Sequence, residues 1–356
     1  MTDNKTLLSR LKLLRCPACK AGALDIAGGT EAVRPLHCRA CGKDFAPDKG
    51  YYGLLGTTEV SGPKGRIQRF WGDTCREWYS GLDEVLTADI LEKHLAELTK
   101  MFVYRKHCAV TEMAPEGLAG ADILEIGSGP GAHSALFKKR GANVTAIDIT
   151  EERVLSTGKK LALVKEGTGF SVLADAENLP FRDDSFDIVY SNGVLHHSED
   201  TAGCVSEVYR VLKPGGKAVI MLYCRDSLLY WMNLLPKTLI NGSIFRMPEP
   251  ERLGYITEGR PGTGARNPIT RVYSKRELEA LFGKFRIISL RKSGFALAHI
   301  PGGGYLRSAI RRLSGEKPYE GGVIVYGAPF YAETGPELAL GRYIGFSWNV
   351  VAAKAS

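Results

Sequence analysis

Apolar residues between positions 121 and 223 come in short runs that polar or glycine-rich turns separate. Runs of this length predict buried strands, and intervening segments with apolar residues at helical spacing predict helices. Strands are predicted at residues 122–126, 143–149, 185–191 and 217–223, with one more ending at 172–175, and helices at 132–140 and 205–212. This alternation is typical of a parallel sheet with helices on both faces.

Two other regions precede this pattern. Leu91, Leu95 and Leu98 recur at helical spacing within a longer segment that follows a polar, glycine-rich connector. We therefore expect a small module, a connector with an N-terminal helical region, and an α/β domain, at residues 1–56, 57–120 and 121–356. A chain of 356 residues is long enough for this organisation.

Four of the eight cysteines stand in two CxxC pairs, Cys16 with Cys19 and Cys38 with Cys41. Each pair can place two thiolates on one tetrahedral ion, and the eighteen residues between the pairs suffice for a hairpin. We predict structural zinc bound by all four thiolates, which leaves no open position for catalysis on the metal. A disulfide framework fits poorly because the N-terminus lacks the features of a secretory signal.

The wider pattern around these cysteines is LRCPAC followed by LHCRACGKDFAPDKGYYGLL. It resembles the zinc-ribbon modules related to the small activator subunit of translation-associated methyltransferases. The resemblance covers residues 10–56 and includes an aromatic residue, a proline, a glycine and an apolar pair, here Phe45, Pro47, Gly50 and Leu54 with Leu55. It implies a link with methyl transfer.

The turn after the first predicted strand contains Gly127, Gly129 and Gly131 in the stretch ILEIGSGPGAHSALF. Glycines allow the backbone to pass close to a ligand, and the following helix start offers unpaired N–H groups. Glu125 stands beside this turn, where a carboxylate would repel pyrophosphate but suits the ammonium and sulfonium charges of S-adenosylmethionine.

Two further acids end predicted strands. Asp148 ends the second strand, where a carboxylate can accept hydrogen bonds from two ribose hydroxyls. Asp175 ends the third strand and could accept the adenine amino group. The sequence therefore favours an adenosine-containing ligand at this edge of the sheet.

With the later segments SFDIVYSNGVLHH and LKPGG, these motifs resemble the class I S-adenosylmethionine-dependent methyltransferases, in the type 11 branch that includes ubiquinone and menaquinone biosynthesis enzymes. The resemblance covers about residues 121–223. It implies a seven-stranded, Rossmann-like sheet that strands at 285–292 and 346–354 complete, with the cofactor at the carboxyl ends of the strands. It also implies the contacts of the cofactor, with Glu125, Gly127, Gly129 and Gly131 at the methionyl portion, Asp148 at the ribose, Asp175 and Ala176 at the adenine, and Asn192 near the methionine moiety.

His196 and His197 follow the fourth strand, where the acceptor enters in the related enzymes. We take both as candidate catalytic bases. A helix-capping or cofactor-contacting role stays open, because methyl displacement needs a base only when the acceptor must lose a proton. His133, near the start of the helix after the glycine turn, is expected to pack near the cofactor carboxylate.

Two inserts are expected to surround the acceptor, at about residues 225–282 and 299–342. The first begins with an amphipathic helix at 227–240, which either covers the core or forms a lid that favours an apolar acceptor. Its arginine-rich loop is either a plain surface loop or a site for a carboxylate or phosphate, held by Arg260, Arg266 and Arg271.

Charge changes this picture in one respect. The chain has a net charge of +8, while residues 237–312 contain fifteen Lys or Arg against five Glu and no Asp. This excess favours an anionic partner over a merely solvated surface only weakly.

Two functions agree with these features. The first is S-adenosylmethionine-dependent O-, N- or C-methylation of a small, partly apolar or anionic metabolite. The alternative is methylation of ribosomal or transfer RNA, with the zinc ribbon and the basic insert around Arg311 and Arg312 binding phosphates. Asn192 begins Asn-Gly-Val-Leu rather than the Asn-Pro-Pro-Tyr type of loop used for exocyclic base amines, which favours the small acceptor.

The longest apolar run, residues 218–235, contains Arg225 and Asp226 and is a poor membrane span. With no secretory signal recognised, we expect a cytoplasmic protein with S-adenosylmethionine and structural zinc as its cofactors. The acceptor atom, the oligomeric state and the role of the ribbon stay open.

Overall fold

The computed structural model of the protein describes residues 10–26, 35–56, 60–259 and 263–356. Arg260, one of the three loop arginines considered above, lies outside these ranges. Within them, no helix is both long and apolar enough to cross a membrane.

A large mixed sheet forms the centre of the molecule. Twelve strands are present in the described ranges, at Leu24–Ile26 (β1), Leu36–Cys38 (β2), Asp44–Phe45 (β3), Pro47–Asp48 (β4), Tyr51–Gly53 (β5), Asp122–Ile126 (β6), Asn143–Asp148 (β7), Thr168–Leu173 (β8), Phe186–Asn192 (β9), Leu212–Tyr223 (β10), Arg286–Ser293 (β11) and Ser347–Ala353 (β12). Nine of them form the large sheet, in the order β11-β12-β10-β9-β6-β7-β8-β5-β4, and β1, β2 and β3 form a separate small sheet.

Helices cover both faces of the large sheet and fill the inserts. The α-helices of the described ranges are Gly62–Val85 (α1), Ala88–Arg105 (α2), Cys108–Thr111 (α3), Ala132–Lys139 (α4), Glu151–Leu163 (α5), Thr201–Val211 (α6), Leu235–Ile240 (α7), Glu249–Thr257 (α8), Lys275–Leu281 (α9), Gly303–Ser314 (α10), Val323–Tyr326 (α11) and Gly335–Ile344 (α12). Single 3-10 turns lie at Pro115–Gly117, Leu195–His197, Ser243–Phe245, Leu297–His299 and Glu320–Gly322.

The central strands are parallel and nearly continuous in apolar residues, because helices bury both of their faces. β12 runs antiparallel to both of its neighbours, β10 and β11. Two apolar clusters follow from this arrangement, one on each face of the sheet. The α/β fold with its Rossmann-like sheet is therefore confirmed.

The number of strands differs from the prediction of seven. β4 and β5 extend the sheet, because β5 pairs in parallel with β8 and β4 pairs with β5. Residues 47–53 were assigned to the zinc ribbon, yet they cover the β8 edge of the large sheet. An otherwise unpaired edge strand is thereby hydrogen-bonded within the same chain.

The ribbon also contacts the segment between β8 and β9. The Arg15 N–H donates to the carbonyl of Pro180 at 3.1 Å, and Leu14 forms a bridge with Phe181. The side-chain amide of Asn178 donates to the carbonyl of Pro17 at 3.1 Å. The ribbon is therefore packed against the loop that carries Asp175.

The two inserts leave the sheet at the carboxyl ends of β10 and β11, which point the same way because both are antiparallel to β12. The amphipathic segment predicted at 227–240 is helical and consists of a π-helical turn, Tyr230–Leu234, followed by α7. Ser274 caps α9 with a capping box completed by Glu277.

Candidate functional site

A cavity opens at the carboxyl ends of β6, β7, β8 and β9, which is the usual ligand crevice of an open α/β sheet. Its wall on the sheet side includes Gly127, Asp148, Asp175 and Ala176, four of the residues predicted to bind the cofactor. The opposite wall comes from one face of α1, with Lys64, Ile67 and Trp71.

The glycine turn has the backbone conformations that only glycine adopts without strain. Gly127, Gly129 and Gly131 have φ angles of 72°, 54° and 86°. A Cβ at Gly127 would lie 2.3 Å from Val194, and one at Gly131 would lie 2.6 Å from the backbone of Thr157, so both positions also lack space. Gly129 has no atom within 4 Å of its Cβ position, which leaves open space beside the turn.

Asp148 is buried and ties the turn to the second strand. One carboxylate oxygen accepts from the N–H of Gly129 at 3.1 Å, and the other accepts from the N–H and hydroxyl of Thr150 at 3.1 and 3.0 Å. The guanidinium of Arg153 lies 3.7 Å from the same carboxylate and 4.6 Å from the Trp71 ring. These contacts fix the carboxylate at the cavity wall.

Asp175 and Glu177 face the connector helix. Lys64 Nζ lies 2.6 Å from Asp175 and 2.7 Å from Glu177, and these two partners raise the pKa of the Lys64 ammonium against the opposing effect of burial. Glu177 also accepts from the backbone N–H groups of Glu199 and Asp200. Lys64 therefore connects α1 to the wall that carries Asp175.

Glu125 and Asn192 are not among the residues that line the cavity. The Glu125 carboxylate accepts from the Ser134 hydroxyl and lies 3.6 Å from His133 Nδ1. The Asn192 carbonyl oxygen lies 3.4 Å from Cys108 Sγ. Both side chains belong to a buried polar cluster behind the glycine turn.

The neighbouring histidines have opposite surroundings. His196 is fully buried against the Tyr223 ring, 3.9 Å away between centroids, and neither ring nitrogen has a partner among the described residues. Burial lowers the pKa of its imidazole well below the usual value. His197, in contrast, lines the cavity and stacks near Trp71.

Polar groups from the first insert fix the ring of His197. Nδ1 lies 2.9 Å from the carbonyl of Ile269 and 2.8 Å from the side-chain amide nitrogen of Asn267. Nε2 lies 3.6 Å from the Glu258 carboxylate. Tyr223 and Thr270 donate hydroxyl hydrogen bonds to Glu258 at 2.9 and 2.8 Å, which orients that carboxylate.

The loop arginines separate into two kinds. Arg271 donates to the carbonyls of Ser198 and Glu199 and so is bound to the protein's own backbone. Arg266 is exposed and lies over the Tyr255 ring at 5.6 Å. An open groove beside it is lined by Arg66 and Arg69 of α1, on the helix face away from the cavity.

The four ribbon thiolates converge. Cys16 Sγ lies 3.8 Å from Cys41 Sγ, Cys19 Sγ lies 3.7 Å from Cys38 Sγ, and all four atoms fall within 4.8 Å of one another. A tetrahedron with Zn–S bonds of about 2.3 Å has edges of about 3.8 Å, so the donor set fits one zinc ion. Backbone N–H groups of Ala21 and Gly22 lower the pKa of Cys19 to about 6, which favours the thiolate.

Several residues at this site carry no pattern in the sequence. Lys64 and Trp71 belong to a helix whose apolar spacing predicts only packing, and Glu258 is one acid among many in a basic insert. Arg153 belongs to the helix after Asp148, and no pattern in the sequence distinguishes it from the other residues of that helix. Only their contacts in the folded chain distinguish them.

Comparison with known proteins identifies the sheet region. Residues 124–220 match the family model described as a methyltransferase domain. This segment is therefore similar in sequence to known methyltransferase domains.

Three curated relatives illustrate the similarity. The chain is 29% identical over 132 residues to a malonyl-[acyl-carrier protein] O-methyltransferase of Salmonella typhimurium, covering 35% of this chain and 51% of that one. It is 39% identical over 110 residues to a demethylmenaquinone methyltransferase of Clavibacter sepedonicus, covering 31% and 44%. It is 36% identical over 211 residues to cycloartenol-C-24-methyltransferase 1 of Oryza sativa, covering 58% and 60%.

The chain thus spans about half the length of the curated relatives it matches. The zinc ribbon lies outside the matched family segment. The resemblance of the ribbon to the activator module stays a prediction.

Proposed function

We propose that this protein transfers the methyl group of S-adenosylmethionine to a small, partly apolar or anionic acceptor. The observation that carries the proposal is the cavity at the strand ends, where Gly127 of the glycine turn, Asp148 and Asp175 lie on one wall.

The cofactor would lie along that wall. Asp148 would accept hydrogen bonds from the ribose hydroxyls, and Asp175 with Ala176 would contact the adenine. The turn of Gly127, Gly129 and Gly131 would lie against the methionyl portion. Glu125 and Asn192 would act from behind the turn, because their side chains contact Ser134 and Cys108 rather than the cavity.

The reaction needs alignment more than acid–base chemistry. The acceptor lone pair forms the new bond to the methyl carbon as the carbon–sulfur bond breaks, and neutral S-adenosylhomocysteine leaves. Where the acceptor must lose a proton, His197 Nε2 would take it, since Nδ1 is engaged by Ile269 and Asn267. Glu258 would then stabilise the imidazolium from 3.6 Å.

The acceptor class rests on the groove next to this site. It lies on the other face of α1 and is lined by three arginines, Arg66, Arg69 and Arg266, by two acids, Asp73 and Glu251, and by the apolar side chains of Phe70 and Met247. Arginines of this kind suit a carboxylate or phosphate, and the apolar floor suits the rest of the molecule. The names of two relatives fit this class, since one acts on a malonyl thioester carrier and another on a demethylmenaquinone.

The structure offers less support for RNA. Arg307 of the second insert is buried in ion pairs with Glu316 and Glu337, and Arg311 lies 4.4 Å over the Tyr331 ring. Two of the three arginines in α10 are thereby engaged with the protein itself.

The test is transfer of labelled methyl from S-adenosylmethionine to a panel of malonyl-acyl-carrier protein, demethylmenaquinone in its reduced form, cycloartenol and bulk RNA. The proposal expects label in an anionic or quinol acceptor and none in RNA. Label in RNA alone, abolished by nuclease, would replace the small acceptor with RNA. Absence of any binding of S-adenosylmethionine would remove the enzyme assignment itself.

A further inference from the structure

Helix α10 is attached to the protein in an unusual way. Its buried residues are Gly303 and Arg307, so its one large buried side chain is a charged one. The Arg307 guanidinium donates to Glu316 at 2.6 and 2.9 Å and to the carbonyl of Ala332 at 3.1 Å. Ion pairs therefore hold this helix, whereas apolar side chains hold most helices to a core.

The apolar residues of α10 lie on the other side. Tyr305 is 87% exposed and Leu313 is 89% exposed, with Leu306, Ala309 and Ile310 exposed between them. At about 100° per residue these five side chains span an arc of about 140°, whose centre is roughly opposite the direction of Arg307 and Arg311. We call these five residues the outer face of α10. It points away from the protein.

Charge on the same segment is of one sign. Residues 300–315 contain three arginines and no acid, and the next basic residue is Lys317. Arg312 is exposed and lies next to Tyr305 at the border of the outer face. Lys317 is exposed shortly after the helix ends. An amphipathic helix with cations beside a protruding apolar face is typical of helices that lie in the interface of a bilayer.

A second surface of the same kind is present on the other insert. Ile240 is 86% exposed and Phe245 is 84% exposed, and the flanking Lys237 and Arg246 are exposed too. Both inserts leave the sheet at the same edge, at the carboxyl ends of β10 and β11. Two separate protruding apolar tips with cations suit a broad, deformable surface better than one groove of a partner protein.

We propose that the outer face of α10, together with Ile240 and Phe245, docks this protein onto an anionic lipid bilayer. Tyr305 and Leu313 enter the headgroup region, and Arg312 and Lys317 contact the lipid phosphates. RNA would use the cations but gains nothing from exposed leucine and isoleucine. Both inserts start from the edge of the sheet where the cofactor cavity opens, so docking of the inserts holds that edge near the bilayer.

The test is co-sedimentation of the full chain with two kinds of vesicle, phosphatidylcholine alone and equal parts of phosphatidylcholine and phosphatidylglycerol. The wild type binds the anionic vesicles and not the neutral ones, and added salt weakens that binding. Tyr305→Ser with Leu313→Ser lowers the partition coefficient about tenfold or more, because the two most exposed apolar side chains of the outer face are lost. Arg312→Glu with Lys317→Glu lowers it by a similar factor of about ten.

The matched control is Ile288→Ser, an exposed apolar residue in the bulge of β11 away from the inserts, which leaves binding unchanged. Circular dichroism shows that each variant stays folded, as expected for substitutions on exposed faces. Unchanged vesicle binding by Tyr305→Ser with Leu313→Ser overturns the proposal. Failure of the wild type to bind anionic vesicles also overturns it. The occupant of the face would then be a second copy, detected as a dimer that Leu313→Ser dissociates, or bulk RNA.

Discussion

Different parts of the chain position the cofactor-binding residues of the cavity and its candidate base, His197. Gly127, Asp148 and Asp175 lie at or just after the carboxyl ends of β6, β7 and β8, so the parallel sheet brings them together. His197 depends instead on Ile269 and Glu258, which come from an insert more than sixty residues later. The sheet itself positions the cofactor-binding residues, whereas contacts with the insert position His197.

This difference separates binding from chemistry. Changes in the strand ends should alter the affinity for the cofactor, whereas changes in the insert should alter the rate or the acceptor. The following changes test this separation, from the largest expected effect to the smallest.

Removal of zinc has the largest expected effect. Structural zinc contributes about 10 kcal/mol or more to the folding of small four-cysteine modules, so chelation or Cys38→Ser should unfold the ribbon. The ribbon contacts Asn178 and Phe181 in the Asp175 loop. We expect affinity for S-adenosylmethionine to fall about tenfold, because a loosened loop must be ordered on binding.

Calorimetry with S-adenosylmethionine and a thermal melt measure both effects of zinc removal. Cys75→Ala, at a buried cysteine outside the ribbon, is the matched control. Full cofactor affinity in the zinc-free protein would show that the ribbon does not support the Asp175 loop.

Glu258→Gln should affect His197 rather than the cofactor-binding residues. Loss of the carboxylate removes stabilisation of the His197 imidazolium, so kcat should fall by about ten- to a hundredfold for an acceptor that loses a proton. The dissociation constant of the cofactor should stay within about twofold, since Glu258 does not line the cavity.

Single-turnover methyl transfer as a function of pH measures the Glu258 effect, with the exposed Glu279→Gln of α9 as control. Glu258→Asp should restore part of the rate. An unchanged rate and pH profile in Glu258→Gln would remove His197 and Glu258 from the mechanism.

Arg66→Gln with Arg69→Gln tests the groove. Loss of two exposed cations should raise KM for an anionic acceptor about five- to tenfold and leave kcat unchanged, because surface charge pairs contribute about 1 kcal/mol or less each. Arg76→Gln, an exposed arginine farther along the same helix, should change neither constant. An equal KM for all three proteins would place the acceptor elsewhere.

His196→Phe has the smallest expected effect. Burial holds the pKa of His196 well below 6.5, so the unfolded chain takes up a proton that the folded chain does not, and stability is lost as pH falls below 6.5. Without this group the fall in unfolding free energy should be shallower by up to about 1.4 kcal/mol per pH unit.

Urea unfolding between neutral and mildly acidic pH measures the slope of His196→Phe against wild type. His107, also buried with a lowered pKa, keeps its own contribution in both proteins. Identical slopes would mean that His196 titrates alike in the folded and unfolded chain.

The difference between local placement and long-range contacts also explains what the sequence could predict. Short-range rules place Gly127 in a turn and Asp148 at a strand end. Most of the predicted strands begin and end within a few residues of the observed ones, but β10 begins at Leu212, five residues before its predicted start. The convergence of Cys16, Cys19, Cys38 and Cys41 also follows from spacing alone.

Long-range contacts escaped prediction for a physical reason. The addition of β5 to β8 depends on which edge the ribbon packs against, and no local pattern in residues 47–53 encodes that choice. The role of Lys64 depends on where α1 crosses the cavity. His196 and His197 look equivalent as a pair, yet the short turn at Leu195–His197 buries one ring and turns the other to the cavity.

The central claim is that the cavity binds S-adenosylmethionine through the acids at the strand ends. Titration calorimetry of S-adenosylhomocysteine into wild type and Asp148→Ala tests it most directly. Loss of two hydrogen bonds to a charged acceptor, at about 1.5 kcal/mol or more each, predicts a dissociation constant raised by more than about a hundredfold. Binding of Asp148→Ala within about twofold of wild type would contradict the account.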